Sequence, residues 1–252
     1  MAGRVTAAVV LIGDEILSGR TRDVNLQQIA QFLAPMGIQV RECRTVADVG
    51  ADIAAAVNAL RARFTYVFTT GGIGPTHDDI TADAIGEAFG RPVGENAEAL
   101  AMLEARYRET GTTFTAARRR MARMPEGAEL IHNPVSGAPG FRVENVFVMA
   151  GVPAICRGML ESIGPMLEGG EVVHTVTLRV AGLREGEVGE ALGRIAEDMP
   201  DLDIGSYPWF RSMTDNGVHL LARGTDRDRL ETAADRLEAL VREAGRTPER
   251  LD

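Results

Sequence analysis

Thr69-Thr70-Gly71-Gly72-Ile73-Gly74-Pro75-Thr76-His77-Asp78-Asp79-Ile80-Thr81 follows the apolar run Thr65-Tyr66-Val67-Phe68 and leads into a helical pattern, so it reads as a strand, a glycine-rich turn and a helix start. Three glycines within four positions let the backbone take positive φ and leave N–H groups uncovered, while Asp78, Asp79 and Thr81 bring oxygens to the same place. Such a loop suits a phosphate with a metal ion beside it. The plainer alternative is an ordinary turn capped by Asp79.

Working outward, the same alternation recurs on both sides. Upstream, Val5 to Ile12 is a strand-length apolar run ending at Gly13-Asp14-Glu15. Asp23 is placed to cap a helix carrying Leu26, Ile29 and Leu33, Ile38 to Val46 reads as a second strand ending at Asp48, and Ile53, Val57 and Leu60 recur at helical spacing. Downstream come a helix from near Asp79 to Gly90, helical stretches Ala97 to Arg108 and Ala116 to Arg123, and a short strand Glu129 to His132. The loop Asn133 to Gly140, a buried strand Asn145 to Ala150 and a helix with Ile155, Met159, Ile163 and Met166 follow. This order predicts a parallel sheet covered on both faces. After Glu168-Gly169-Gly170 the pattern changes to a β-α-β-β-α unit, with strands at Val172 to Val180, Asp203 to Tyr207 and Val218 to Ala222 and helices at Glu187 to Asp198 and Arg227 to Glu243. The expected organisation is an α/β domain over residues 1–170 and a smaller α+β domain over 171–252.

Composition bounds the chemistry. With 252 residues, 45% of them hydrophobic, the chain can build a sizeable core, yet no apolar run reaches membrane length, and the start shows no leader cleavage site. A cytoplasmic protein with no membrane partner is expected. Cys43 and Cys156 lack metal-ligand spacing and read as reduced, buried thiols. A net charge of -9 argues against nucleic acid as a partner. All 27 basic residues are Arg, which excludes a P-loop or Schiff-base lysine, so phosphate chemistry must use backbone amides, Arg or a metal.

A parallel sheet would bring Asp14-Glu15, Asp48, the glycine loop, the Asn133 to Gly140 loop and Gly151-Val152-Pro153 to one edge. Acids then converge without bases close in sequence, an arrangement that suits magnesium bridging to substrate phosphates. Helix capping by Asp14, Asp48 and Asp79 is the alternative. His77 reads as solvated, and His132, His174 and His219 as structural. Arg118-Arg119-Arg120 with Arg123 is either a solvated helix face or a phosphate clamp. Ser18 and Ser136 have no evident base partner. Gly186-Glu187-Val188-Gly189 has the spacing of a KH nucleic-acid loop, but Glu185, Glu187 and Glu190 would repel phosphate, so an interaction or dimerisation module is expected there. Trp209 and Phe210 read as packed under a loop.

Leu11-Ile-Gly-Asp-Glu-Ile-Leu-Ser-Gly19, the loop Thr69 to Asp79, Asn133-Pro-Val-Ser-Gly-Ala-Pro-Gly-Phe141 and Gly151-Val-Pro153 together resemble the competence/damage-inducible (CinA) family, over about residues 4–168. The β-α-β-β-α unit resembles that family's KH-like middle domain, and the amidohydrolase domain of long members is not expected within these residues. The resemblance implies a three-layer α/β/α molybdopterin-binding-like fold, of the kind found in molybdenum-cofactor (MoCF) biosynthesis proteins, and a metal-dependent ADP-ribose pyrophosphatase activity. It also implies phosphate at the glycine loop, magnesium-assisted chemistry at Asp48 and Asp79, and self-association into a dimer or trimer. The expected roles are ligand contacts at Gly71, Gly72, Gly74, Thr76, Asp78, Ser136, Gly137, Pro139 and Gly140, a divalent metal on Asp48 and Asp79, and water or ribose oriented by Asp14 and Glu15. A non-catalytic molybdopterin or nucleotide binder and a molybdopterin adenylyltransferase are the other two readings. His77 stands where family members often have Lys, and Ala154-Ile155 where Ser-Glu is usual.

Overall fold

The computed structural model describes residues 5–251; positions 1–4 and 252 of the two expected domains lie outside the described residues. The chain divides into two compact units, Met1–Glu171 and Val172–Asp252.

In the first unit the chain runs β1 (Val5–Ile12), α1 (Asp14–Leu17), α2 (Asn25–Leu33), β2 (Ile38–Val46), α3 (Gly50–Arg61), β3 (Tyr66–Thr70), α4 (Thr81–Phe89), β4 (Val93–Glu95) and α5 (Ala97–Glu109). It continues with α6 (Ala116–Arg119), β5 (Arg123–Pro125), β6 (Glu129–Ile131), β7 (Gly140–Val143), β8 (Val146–Met149) and α7 (Pro153–Ile163). The main sheet has the order β2-β1-β3-β8-β7-β6. β2, β1, β3 and β8 are parallel, and the antiparallel hairpin of β7 and β6 extends one side. Because side chains alternate along a strand, β1 serves two cores. Ala8, Val10 and Ile12 pack with Ile53, Val57 and Leu60 of α3 and Ile85 of α4. Ala7, Val9 and Leu11 pack with Ile29 and Leu33 of α2 and Met159 and Ile163 of α7. That is the expected three-layer α/β/α arrangement. Phe68 and Phe147 stack across β3 and β8 at 5.3 Å. Each fully buried Leu, Ile or Phe here contributes about 1.5–3 kcal/mol of apolar transfer.

Several short elements differ from the sequence expectation. β7 begins at the end of the expected loop, at Gly140, and runs through residues for which no element was expected. Only Ala116–Arg119 of the expected helix 116–123 is α-helical; a single 3-10 turn follows, and Arg123 pairs in β5 against β4. Strands of three or four residues carry too little periodicity to be distinguished from loops. Cys156 is buried as expected, and burial pushes its thiol up to about 12, whereas Cys43 is exposed because β2 is an edge strand.

The second unit runs β9 (His174–Ala181), α8 (Glu185–Asp198), β10 (Asp203–Phe210), β11 (Asn216–Gly224), α9 (Arg227–Glu243) and β12 (Glu249–Leu251), with sheet order β10-β11-β9-β12 and every pairing antiparallel. β12 adds a strand to the expected unit, giving the β-α-β-β-α-β split motif. Gly186 and Gly189 lie inside α8, so the G-x-x-G spacing makes no KH loop. Trp209 is half-buried on β10, beneath the Arg179 guanidinium at 4.5 Å and stacked on His219, while Phe210 is exposed. No helix among the described residues is long and apolar enough to cross a membrane.

Candidate functional site

β1 and β3 are neighbours whose connections leave in opposite directions across the sheet, and a crevice opens at such a switch point beyond the strands' carboxyl ends. A cavity of about 480 Å³ lies there. Its lining combines the residues after β1 (Gly13, Glu15), after β2 (Asp48), after β3 (Gly71 to Pro75, Asp78, Asp79) and after β8 (Ala150 to Val152). Asn133, Ser136 and Ala138 come from the β6–β7 loop, with Tyr107, Met121 and Ile155 completing the wall. The volume lies within the range of small-molecule sites.

The glycine turn is the most constrained part. Gly71 and Gly72 hold φ of 110° and 66°. A Cβ on Gly72 would collide with the Thr81 hydroxyl, which is wholly buried and donates to the Gly71 carbonyl at 3.0 Å. Gly71 lines the cavity, but its N–H donates to the Met149 carbonyl at 3.1 Å and extends the sheet. Among the described residues, no protein acceptor takes the N–H groups of Gly72, Ile73 or Gly74. Successive free donors beside a left-handed residue are the pattern from which anion-binding concavities are built.

The acids divide by what holds them. Asp79 accepts from both the N–H and the hydroxyl of Thr76, at 2.8 and 2.6 Å on the same oxygen, and so closes the turn; Thr76 supports the site from outside the cavity lining. Asp14 is exposed and its side chain is not part of the lining, but its N–H donates to Asp48 Oδ2 at 2.9 Å. Burial, and then the charges of Asp14, Glu15 and Asp78, hold the Asp48 carboxyl above its ordinary value against the opposing pull of that hydrogen bond. None of Asp14, Asp48 and Asp79 makes a side-chain cap on the helix that follows it.

In the second loop, Ser136 lines the cavity, but the other expected contacts do not. Gly137 takes φ 81° as a turn residue and donates to the Asn133 carbonyl, and Pro139 lines only a narrow neighbouring crevice. Gly140 sits buried in β7, where a Cβ would strike the Val148 carbonyl. Asn133, 1% exposed, holds this loop: its Nδ2 donates to Ser136 Oγ and the Ala138 carbonyl, and its Oδ1 accepts from the N–H groups of Val135 and Ser136. Asn25, at the start of α2, holds the segment after β8, donating to the Gly151 carbonyl at 2.7 Å. Sequence reasoning missed both residues, and Tyr107 as well. An Asn opening a Pro-Gly-rich loop is a usable signal for Asn133; nothing local marks Tyr107. His77 is exposed outside the lining, and Ile155 puts an apolar side chain on the cavity wall.

Among the described residues, no three His, Cys, Asp or Glu side chains gather as a metal-holding group. Each of the two expected ligands has one oxygen engaged, Asp79 by Thr76 and Asp48 by the Asp14 N–H, which leaves one oxygen on each. The donor set therefore fits a magnesium ion that takes one or two carboxylates and completes its shell with ligand phosphates, rather than one caged by protein alone.

Residues 8–169 match the family described as "probable molybdopterin binding domain", and residues 172–249 match "FAD synthase, middle domain", which replaces the KH-like expectation for the second unit. A CinA-like protein of Gemmatimonas aurantiaca is 37% identical over 212 residues, covering 79% of this chain and 50% of that protein. A protein of Archaeoglobus fulgidus is 33% identical, covering 92% of this chain and 96% of its own length. The chain thus spans half of the first relative and nearly all of the second. The crystal structure of the protein CinA from Thermoplasma acidophilum is 32% identical, with a TM-score of 0.59, and covers 65% of this chain and 99% of that one.

Proposed function

The chain belongs to the CinA-like family of proteins with a molybdopterin-binding domain, and we propose that its first unit is a divalent-metal-dependent pyrophosphatase acting on an ADP-ribose-like nucleotide. The observation that carries this reading is the juxtaposition, in one cavity, of the three free N–H groups of Gly72 to Gly74 with the carboxylates Glu15, Asp48, Asp78 and Asp79. The amides hold a phosphate by hydrogen bonds without needing a lysine. Asp48, its charged form disfavoured by burial and then by neighbouring negative charge, is eased by any cation that the diphosphate brings. Such an ion, when bound, offsets charge on the phosphates and lowers the pKa of a bound water. Glu15 would orient such a water, and Tyr107 forms part of the wall beside the nucleotide, its ring held by stacking on Phe114 and by the Arg118 guanidinium lying over it.

The competing reading, non-catalytic binding of a molybdopterin or nucleotide phosphate, is favoured by Ile155, which lines the wall where the CinA resemblance leads one to expect Glu. One experiment separates them: ADP-ribose, FAD and ATP with molybdopterin are offered with Mg, Mn or Co, beside Asp48→Asn. The amide oxygen of the substituted side chain can still accept from the Asp14 N–H, so the variant removes the charge and spares the hydrogen bond, whereas a change at Asp79 would also undo the turn. Metal-dependent ADP-ribose cleavage that falls at least a hundredfold in Asp48→Asn is expected. Tight binding of a pterin or nucleotide with no turnover would establish the binder instead.

A further inference from the structure

Every charged residue lining the main cavity is an acid, namely Glu15, Asp48, Asp78 and Asp79. The three N–H groups of the glycine turn carry only partial charges, so a diphosphate placed on them would face these carboxylates without a full positive charge to balance its own. The chain has no Lys, and Arg is the remaining source.

Four Arg side chains occupy residues 118–123, and three are engaged. Arg118 donates to the Thr113 carbonyl and lies over the Tyr107 ring, Arg119 holds Glu95 with two bonds of 2.6 Å, and Arg123 holds Asp83 at 2.7 and 3.0 Å. Arg120 differs: among the described residues it makes no ion pair, and its Nε is buried without a hydrogen-bond partner. It lines a crevice of about 20 Å³ that shares Gly72, Ile73, Gly74 and Asp79 with the main cavity. A buried donor left unpaired is costly in the unliganded fold, and a phosphate oxygen is the acceptor that guanidinium geometry suits best.

We propose that Arg120 is the anion anchor of the glycine turn, binding a phosphate oxygen of a diphosphate that the Gly72 to Gly74 amides also hold. It supplies the full positive charge that the cavity wall lacks. The inference rests on the phosphate-binding part of the function proposed above and does not require turnover.

The test is calorimetric titration of inorganic pyrophosphate, without divalent metal, into the full chain and into Arg120→Gln, Arg120→Lys and Arg108→Gln. Arg108 is exposed on α5, so its substitution removes one positive charge outside the cavity. Arg120→Gln is expected to bind at least tenfold more weakly, about 1.4 kcal/mol, Arg120→Lys to recover part of that loss, and Arg108→Gln to stay within about twofold of the parent. Circular dichroism checks that each variant is folded, and the Lys variant carries the test if Gln does not fold. Pyrophosphate binding equal in Arg120→Gln and the parent, or none in the parent, overturns the proposal. Arg120-dependent pyrophosphate binding in a chain that cleaves no nucleotide would refute the hydrolase and leave the anchor standing. Cleavage with an unchanged KM in Arg120→Gln would do the reverse.

Discussion

Gly72→Ala tests the geometry of the turn. Gly72 holds φ 66°, where an L-residue is about 1–2 kcal/mol less stable than in its ordinary conformation. The new Cβ also collides with the Thr81 hydroxyl, a wholly buried group bonded to the Gly71 carbonyl, and displacing that bond costs about another 1–3 kcal/mol. The control is Gly19→Ala, at φ 71° with nothing within 4 Å of its Cβ, which isolates the backbone contribution. For a unit of this size each kcal/mol lowers the melting temperature by about 2–4 °C. Gly19→Ala should therefore melt about 2–8 °C below the parent, and Gly72→Ala about 4–20 °C below it, with pyrophosphate binding impaired only in the latter. Thermal unfolding followed by circular dichroism measures both. Should Gly72→Ala melt with or above Gly19→Ala, the contact with Thr81 does not hold the turn and the argument for its pre-formed donors fails.

Two further outcomes follow from the same site. Asp48 has its folded pKa raised, so the folded state binds the proton more tightly than the unfolded chain. Stability gained from this group should appear as pH falls through the raised pKa toward the ordinary 3.8 and be absent above it. Urea denaturation at several pH values should show that slope flattened in Asp48→Asn, with the variant at least as stable as the parent at neutral pH; a variant less stable there would contradict the penalty that burial and neighbouring charge place on the ionised carboxyl. Tyr107→Ala removes the wall residue on which Phe114 and Arg118 pack and should weaken nucleotide binding about tenfold while leaving pyrophosphate binding near parental, and equal losses for both ligands would place Tyr107 outside nucleoside recognition.

Local pattern was enough for much of this protein. The runs from Val5, Ile38, Tyr66 and Val146 became the four parallel strands, and α9 spans the expected Arg227–Glu243, because apolar periodicity and glycine stops are written in consecutive residues. Strand order then carried Glu15, Asp48, the glycine turn and Ser136 to one cavity, as the alternation predicts. Local pattern could not show which polar groups are already engaged. The Gly71 N–H meets Met149, Asp79 turns to Thr76, and Arg119 and Arg123 meet Glu95 and Asp83, leaving Arg120 beside the turn. Nor could it show that Tyr107, from α5, closes the pocket begun after β1. The sequence by itself determined the layers and the glycine turn, through spacing and conformational preference. Only the tertiary structure decided which donors and charges remain for a ligand, since a hydrogen-bonding group's availability depends on partners brought near it from distant parts of the chain.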